Sequence, residues 1–183
     1  MTLYEAAMRN FQAAADILEA LQSTRLDLVG EARSGLIGRP RLALSGGYND
    51  VTPTFGACLP TNGRAELLIA DSGTGVELRC TGIDWLTLEG TLAEPVPAEL
   101  CYIEMQVTSD RPQIADVFLR EFIEDGSVRD SGHLECHLDL DAVSVCKLPL
   151  PEIEDDVTSR RVIIHLRQPA ARLILDRLAI TLT

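Results

Sequence analysis

The sequence predicts an antiparallel jelly-roll β-sandwich preceded by an N-terminal α-helix, and three observations carry that reading. From residue 133 to residue 141 the chain alternates, with Leu134, Cys136, Leu138 and Leu140 on one side and His133, Glu135, His137, Asp139 and Asp141 on the other. Side chains of a strand point to opposite faces with period 2, so this pattern marks a strand with one dry and one wet face. The same alternation recurs along the chain after residue 40, with Gly, Pro, Asn and Asp between the runs. The first 34 residues differ, having helical spacing and almost no β-branched residues.

Taken in order, the first element is the helix. Its apolar residues fall at Tyr4, Ala7, Phe11, Ala14, Leu18, Leu21, Leu28 and Ala32, alternating steps of three and four with Arg25 as the one break. This is an a/d stripe, which fits either an amphipathic helix lying on the sheet body or a helix that pairs with further copies of the chain. The expectation is a homo-oligomer through residues 4–32. The segment Ser34-Gly35-Leu36-Ile37-Gly38-Arg39-Pro40 ends the helix, because glycine suits the position after a helix and proline cannot continue one. The organisation read from this is a helix over 1–34, a hinge over 35–40 and a sandwich over 41–183.

Strands are expected near 41–45, 64–70, 75–81, 83–89, 98–108, 114–123, 132–140, 142–148, 160–167 and 172–183, with 46–63 as a long loop. Val76, Leu78 and Cys80 oppose Glu77 and Arg79; Cys101, Ile103, Met105 and Val107 oppose Glu104 and Gln106; Val162, Ile164 and Leu166 oppose Arg161, His165 and Arg167. Leu178, Ile180 and Leu182 face inward. The run 114–123 is apolar on both sides, with Ala115, Val117 and Leu119 against Ile114, Phe118 and Phe122. A strand of that kind is covered on both faces, here by the N-terminal helix or another subunit. Ten strands with short connections and no helical pattern between them give a sandwich of jelly-roll form.

The run from Cys101 through Phe122 and the closing Leu173-Ile174-Leu175-Asp176-Arg177-Leu178-Ala179-Ile180 resemble the long middle strands and final strand of galactose-binding-like and carbohydrate-binding-module sandwiches. The resemblance spans residues 41–183. It implies glycan binding on a sheet face or at loop tips.

Composition narrows the function. With 28 acidic against 16 basic residues the formal net charge is −12, a field that repels phosphate backbones and anionic lipid, so nucleic acid and membrane are not expected partners. The sole lysine is Lys147, in no context that marks Schiff-base or phosphate chemistry. The N-terminus mixes acid and base and has no continuous apolar core, so no secretory signal is read there. Cys58, Cys80, Cys101, Cys136 and Cys146 are odd in number and sit at apolar strand positions, which reads as reduced core thiols. The expected location is the cytoplasm, or a particle released from it.

Among residues that carry chemistry, His133, Glu135, His137 and Asp139 project from one face with successive side chains about 7 Å apart. Two imidazoles and two carboxylates are a start for a zinc or other divalent site, although ligands at i and i+2 of one strand converge only with help from a neighbour. A solvated polar face is the simpler account. For a sugar site the fitting residues are Tyr48, Asn49 and Asp50 in the loop and Trp85 and Tyr102 on strand faces, because rings stack on sugars. Aromatic residues make up only 4% of the chain, which argues against a broad aromatic platform. Glu152, Glu154, Asp155 and Asp156 form an acidic tip of the kind that holds calcium or is simply solvated. Glu121, Glu124, Asp125, Asp139 and Asp141 are carboxylates from which a hydrolytic pair would be drawn, but in so acidic a chain such pairs arise by chance. There is no Gly-x-Ser-x-Gly elbow, and Asp71-Ser72-Gly73-Thr74-Gly75 joins two strands as a hairpin turn rather than a phosphate cradle.

The leading reading is a non-enzymatic, glycan-recognising module without a cofactor, with an assembly helix, of the kind found in phage-like spike, fibre and head-decoration proteins. The alternatives are a cytoplasmic metal-dependent enzyme or accessory domain using His133, Glu135 and His137, and a pure protein–protein scaffold.

Overall fold

A computed structural model describes residues 3–92, 98–140 and 142–183. It contains helices α1 (Leu3–Ser23) and α2 (Leu28–Leu36) and eleven strands: β1 (Arg25–Asp27), β2 (Arg41–Asp50), β3 (Phe55–Ile69), β4 (Val76–Thr81), β5 (Trp85–Thr91), β6 (Leu100–Ser109), β7 (Gln113–Ile123), β8 (Val128–Leu138), β9 (Val143–Pro149), β10 (Val157–Arg167) and β11 (Arg172–Leu182). All pairings are antiparallel, in the order β8-β7-β10-β5-β3-β4-β11-β6-β9, with β2 beside β3 and β1 beside β11. Among the described residues no helix is long and apolar enough to cross a membrane.

Two layers arise because the β2–β3 ribbon belongs to both. Phe55–Cys58 pair with β5, whereas Arg64–Ile69 pair with β4. Between them the β2–β3 register jumps, from Ser45 opposite Arg64 to Gly47 opposite Leu59. Gly46 lies at the jump, where a Cβ would stand 2.0 Å from the Thr61 carbonyl oxygen, so only glycine lets the ribbon fold over there. This corrects the expectation of a loop over 46–63. The glycine and asparagine signals there belong to a bulge inside two long strands, and Tyr48, Asn49 and Asp50 are β2 residues.

The core lies between the layers. Val76, Leu78, Cys101, Ile103, Ala115, Val117, Leu119, Val162, Ile164, Leu166, Leu178 and Ile180 are all buried, as their alternation requires. The predicted helix over 1–34 is in fact two. Thr24 to Asp27 leave helical geometry because the chain adds β1 to the edge of β11, with Arg25 opposite Thr181, and the Thr24 hydroxyl donates to the Leu182 carbonyl at 2.8 Å. Asp27 then caps α2, its carboxylate accepting from the Gly30 N–H at 3.0 Å. Leu28 and Ala32, read as part of the assembly stripe, are instead buried in this chain's own core with Val29 and Leu36.

Two further expectations change. Cys136 and Cys146 form a disulfide between β8 and β9, the two outer edges of the sheet, so they are not reduced thiols, and the cysteine count gives no argument for a reducing compartment. Leu140 is 45% exposed, because β8 ends at Leu138.

Candidate functional site

Register assembles what no single strand reveals. Tyr48 pairs with Cys58, Cys58 with Thr87, Thr87 with His165, His165 with Asp116, and Asp116 with Glu135. These six residues form one row across β2, β3, β5, β10, β7 and β8, on the face turned away from the core. Five strand spacings of ~4.8 Å make the row about 24 Å long. A second row runs through Asp50, Gly56, Glu89, Ile163 and Phe118, and a third through Trp85, Arg167, Ile114 and His137.

The floor of this face is built rather than merely wet. Ile163 is 0% exposed although it points away from the core, and Phe118 and Glu89 are also buried there. Tyr48 lies over Gly56, where a Cβ would meet its hydroxyl at 2.2 Å. The Arg161 guanidinium sits between two rings, 4.2 Å from the centroid of Tyr48 and 4.8 Å from that of Phe122. The same guanidinium reaches Glu89 at 3.0 Å, and Glu89 also accepts from the Thr87 hydroxyl at 2.8 Å. Burial raises the Tyr48 phenol above its ordinary range, outweighing the opposing pull of Arg161.

Charges on the face are held in pairs. Arg120 binds Asp130 through two contacts of 2.7 Å, and Arg167 grips both oxygens of Asp116 while reaching Glu135 at 3.1 Å. The Arg167 hydrogen bonds hold the Asp116 carboxyl below the usual aspartate range, and His165 and His133 add to that effect. All three histidines of the chain lie on this face. His165 meets the edge of Trp85 at 6.0 Å between centroids, and His133 stacks on Phe118 at 4.7 Å.

Thus Tyr48, Asp50 and Trp85, expected at a sugar site, share one face with His133, Glu135 and His137, expected at a metal site. Asn49 and Tyr102 are elsewhere. The Asn49 amide bonds the backbone of Ser45 and Gly47, closing the bulge. Tyr102 lies on β6, on the outer face of the other layer beside α1. The metal set does not converge: His133 is turned onto Phe118, Asp139 lies beyond the end of β8, and only His137 and Glu135 approach, at 3.5 Å. No cluster of three ligating side chains occurs among the described residues. Asp141 lies outside them. At the acidic tip Glu154 is engaged by Arg129 at 3.1 Å. Glu121, another candidate carboxylate, is buried and bound by Arg129 and Arg160 inside the sandwich.

The residues missed were Arg161, His165, Asp116, Glu89 and Phe122. Alternation had already placed Arg161 and His165 on a wet face. Their meeting with Tyr48 and Asp116 depends on cross-strand register.

No family model matches the sequence, and no curated protein matches it. Among solved structures the chain is similar to carbohydrate-binding modules, the class its strand pattern resembles. One is the family 22 xylan-binding domain from Paenibacillus barcinonensis, at 14% identity and TM-score 0.49, covering 77% of this chain and 92% of that one. Another is the family 11 module from Clostridium thermocellum in complex with a β-1,3-1,4-mixed-linked tetrasaccharide, at 10% identity and TM-score 0.46, covering 76% and 94%. The enzymatically active domain of tailspike protein 4 from bacteriophage CBA120 is similar at 9% identity and TM-score 0.45, covering 85% of this chain and 21% of that one.

Proposed function

We propose that the protein is a non-catalytic, glycan-recognising β-sandwich whose site is the outer face centred on Tyr48, Trp85, His165 and Asp116. The observation that carries this is the transverse row from Tyr48 to Glu135, in which rings and fixed charged groups share one built floor. A sugar ring presents apolar C–H faces and neighbouring hydroxyls; aromatic rings serve the first, and guanidinium and carboxylate groups serve the second. A row about 24 Å long suits an extended chain of several sugar units rather than a single one.

Asp116 is suited to hydrogen-bonding a ligand rather than to acid catalysis. A hydrolytic general acid needs a carboxyl raised toward neutrality, whereas Asp116 is pulled down by Arg167 and stays anionic. A role in a spike, fibre or head-decoration particle would add assembly to recognition, and the exposed stripe of α1 is the observation that favours it.

Affinity electrophoresis against soluble polysaccharides, with a glycan array, tests the reading. The wild-type chain binds at least one glycan without releasing reducing ends. Trp85→Ala and His165→Ala each weaken it by about tenfold or more, the loss expected of a central contact, and Tyr102→Ala leaves it unchanged. Silence of the wild-type chain across the array sinks the proposal.

A further inference from the structure

Among the described residues, the large side chains of the α1 stripe ahead of Leu21 are left uncovered. Tyr4 is 74% exposed, Phe11 73% and Leu18 66%, with Ile17 and Met8 also exposed. An apolar stripe left in water on a helix that stands off from its own core calls for an occupant.

Three features identify that occupant as a second copy of the same helix. Taking Tyr4, Phe11 and Leu18 as a positions and Ala7, Ala14 and Leu21 as d positions, the four charged residues Glu5, Arg9, Asp16 and Glu19 all fall at b and f, on the far side. The a, d, e and g positions flanking the stripe carry no charge, so identical copies meet there without like-charge repulsion, and no charged partner is selected. The second feature is size. In a parallel pair each residue meets itself, so Phe11 would oppose Phe11 while Ala7 and Ala14 left gaps. Reversing one helix makes each a face a d, and the sequence is self-complementary in that sense: Tyr4 meets Leu21, Ala7 meets Leu18 and Phe11 meets Ala14, every pair summing to 25. All six core layers are in register over the length of α1.

The third feature lies at the root of the helix. An open groove of about 760 Å³ separates the last turns of α1 from the outer face of the β6 layer, with Ile17, Leu21, Tyr102 and Val145 in its walls. Val145 is 61% exposed there. Antiparallel pairing brings the partner's Tyr4 to Leu21 at the mouth of this groove, so the coil contact continues onto the sandwich. It also holds the two acidic bodies at opposite ends of helices about 30 Å long, whereas a parallel pair would set them side by side.

We propose that two copies of the chain pair antiparallel through α1, with residue i of one facing residue 25 − i of the other and each N-terminal turn seated against the partner's β6 layer. This deepens the assembly part of the proposed role and rests on it alone, independent of glycan recognition.

Light scattering on the full chain, coupled to size exclusion, is expected to give twice the chain mass. Phe11→Asp gives the single mass with unchanged thermal melting, and Glu19→Gln, at an outer position, keeps the dimer. Orientation is read by mixing Phe11→Cys and Ala14→Cys chains under mild oxidation: the 11-to-14 cross-link forms in the mixture, and Phe11→Cys alone gives little covalent dimer. A monomeric wild-type chain overturns both assembly and this arrangement. A dimer that survives Phe11→Asp overturns α1 as the interface, and efficient 11-to-11 cross-linking overturns the antiparallel order while leaving assembly standing.

Discussion

Glu77 is only 1% exposed, yet it points away from the core, on the layer opposite the candidate site. It stays charged because Arg172 donates to it at 2.7 Å and Arg79 at 2.6 Å, and these bonds, against an opposing effect of burial, lower its carboxyl to about 2. A carboxyl whose folded value is lowered stabilises the fold fully above the ordinary glutamate range near 4.3 and loses that contribution as pH falls toward 2. Both arginines are about half exposed, so solvent screens the pair, and Glu77→Gln is expected to cost about 2 kcal/mol at neutral pH. Urea titrations from pH 7 to pH 2 check this: wild type and variant should converge at the acid end, and parallel curves would count against it. Gly56 matters for a different reason. The Gly56→Ala methyl would collide with the Tyr48 hydroxyl, and the half-exposed ring can swing away, so stability should change by less than about 1 kcal/mol while glycan binding weakens. Paired melting and affinity electrophoresis on that variant separate the two effects.

At the scale of elements, the second half of β8 is legible because Leu134, Cys136 and Leu138 alternate with His133, Glu135 and His137, and β6 follows the same rule, whereas β10 and β11 bury residues on both faces. The segment 46–63 is not legible. Gly46, Gly47 and Gly63 carry the composition of turns, and only the pairing of β2 with β3 makes them a bulge at which a ribbon changes layers. The first helix is shorter than its spacing predicts for a related reason. Leu28 and Ala32 continue the three-four spacing of α1, and nothing in that spacing says that Arg25 will pair with Glu104 and Leu26 with Ile180. Although burial opposes it, Arg25 and Arg177 together hold the Glu104 carboxyl low, fixing β1 to the sheet. Loss of the α2 cap is the simplest test of this corner: Asp27→Ala should lower stability by about 1 kcal/mol in denaturant titration, with glycan binding unchanged. The β8–β9 edge gives another. Thiol titration of denatured, unreduced protein should find Cys58, Cys80 and Cys101 and leave Cys136 and Cys146 unlabelled.

For the whole molecule, the sequence reveals wet and dry faces strand by strand, but the row that makes up the candidate site, spread over six strands, forms only once those strands are in register. Tyr48 and Glu135 are 87 positions apart, and periodicity within either strand carries no information about the other. The boundary between the sandwich body and the outlying helix α1 is tertiary in the same way. It lies at Ser23, not at Pro40, because α2 places Leu28, Val29, Ala32 and Leu36 in the core and the Glu31 carboxylate accepts from Thr52 and Thr54 on the β2–β3 connection. Burying the two leucines and the valine contributes on the order of 5 to 9 kcal/mol, which is comparable to the entire stability of a typical domain. Two truncations therefore behave oppositely. A chain of residues 24–183 keeps the melting temperature and glycan affinity of the full protein, because α1 contributes nothing to the core, whereas a chain of residues 41–183 fails to give a cooperative melt. Circular dichroism melts of both chains check this, and a stable 41–183 would show that α2 is an attachment to the sandwich and not a part of it.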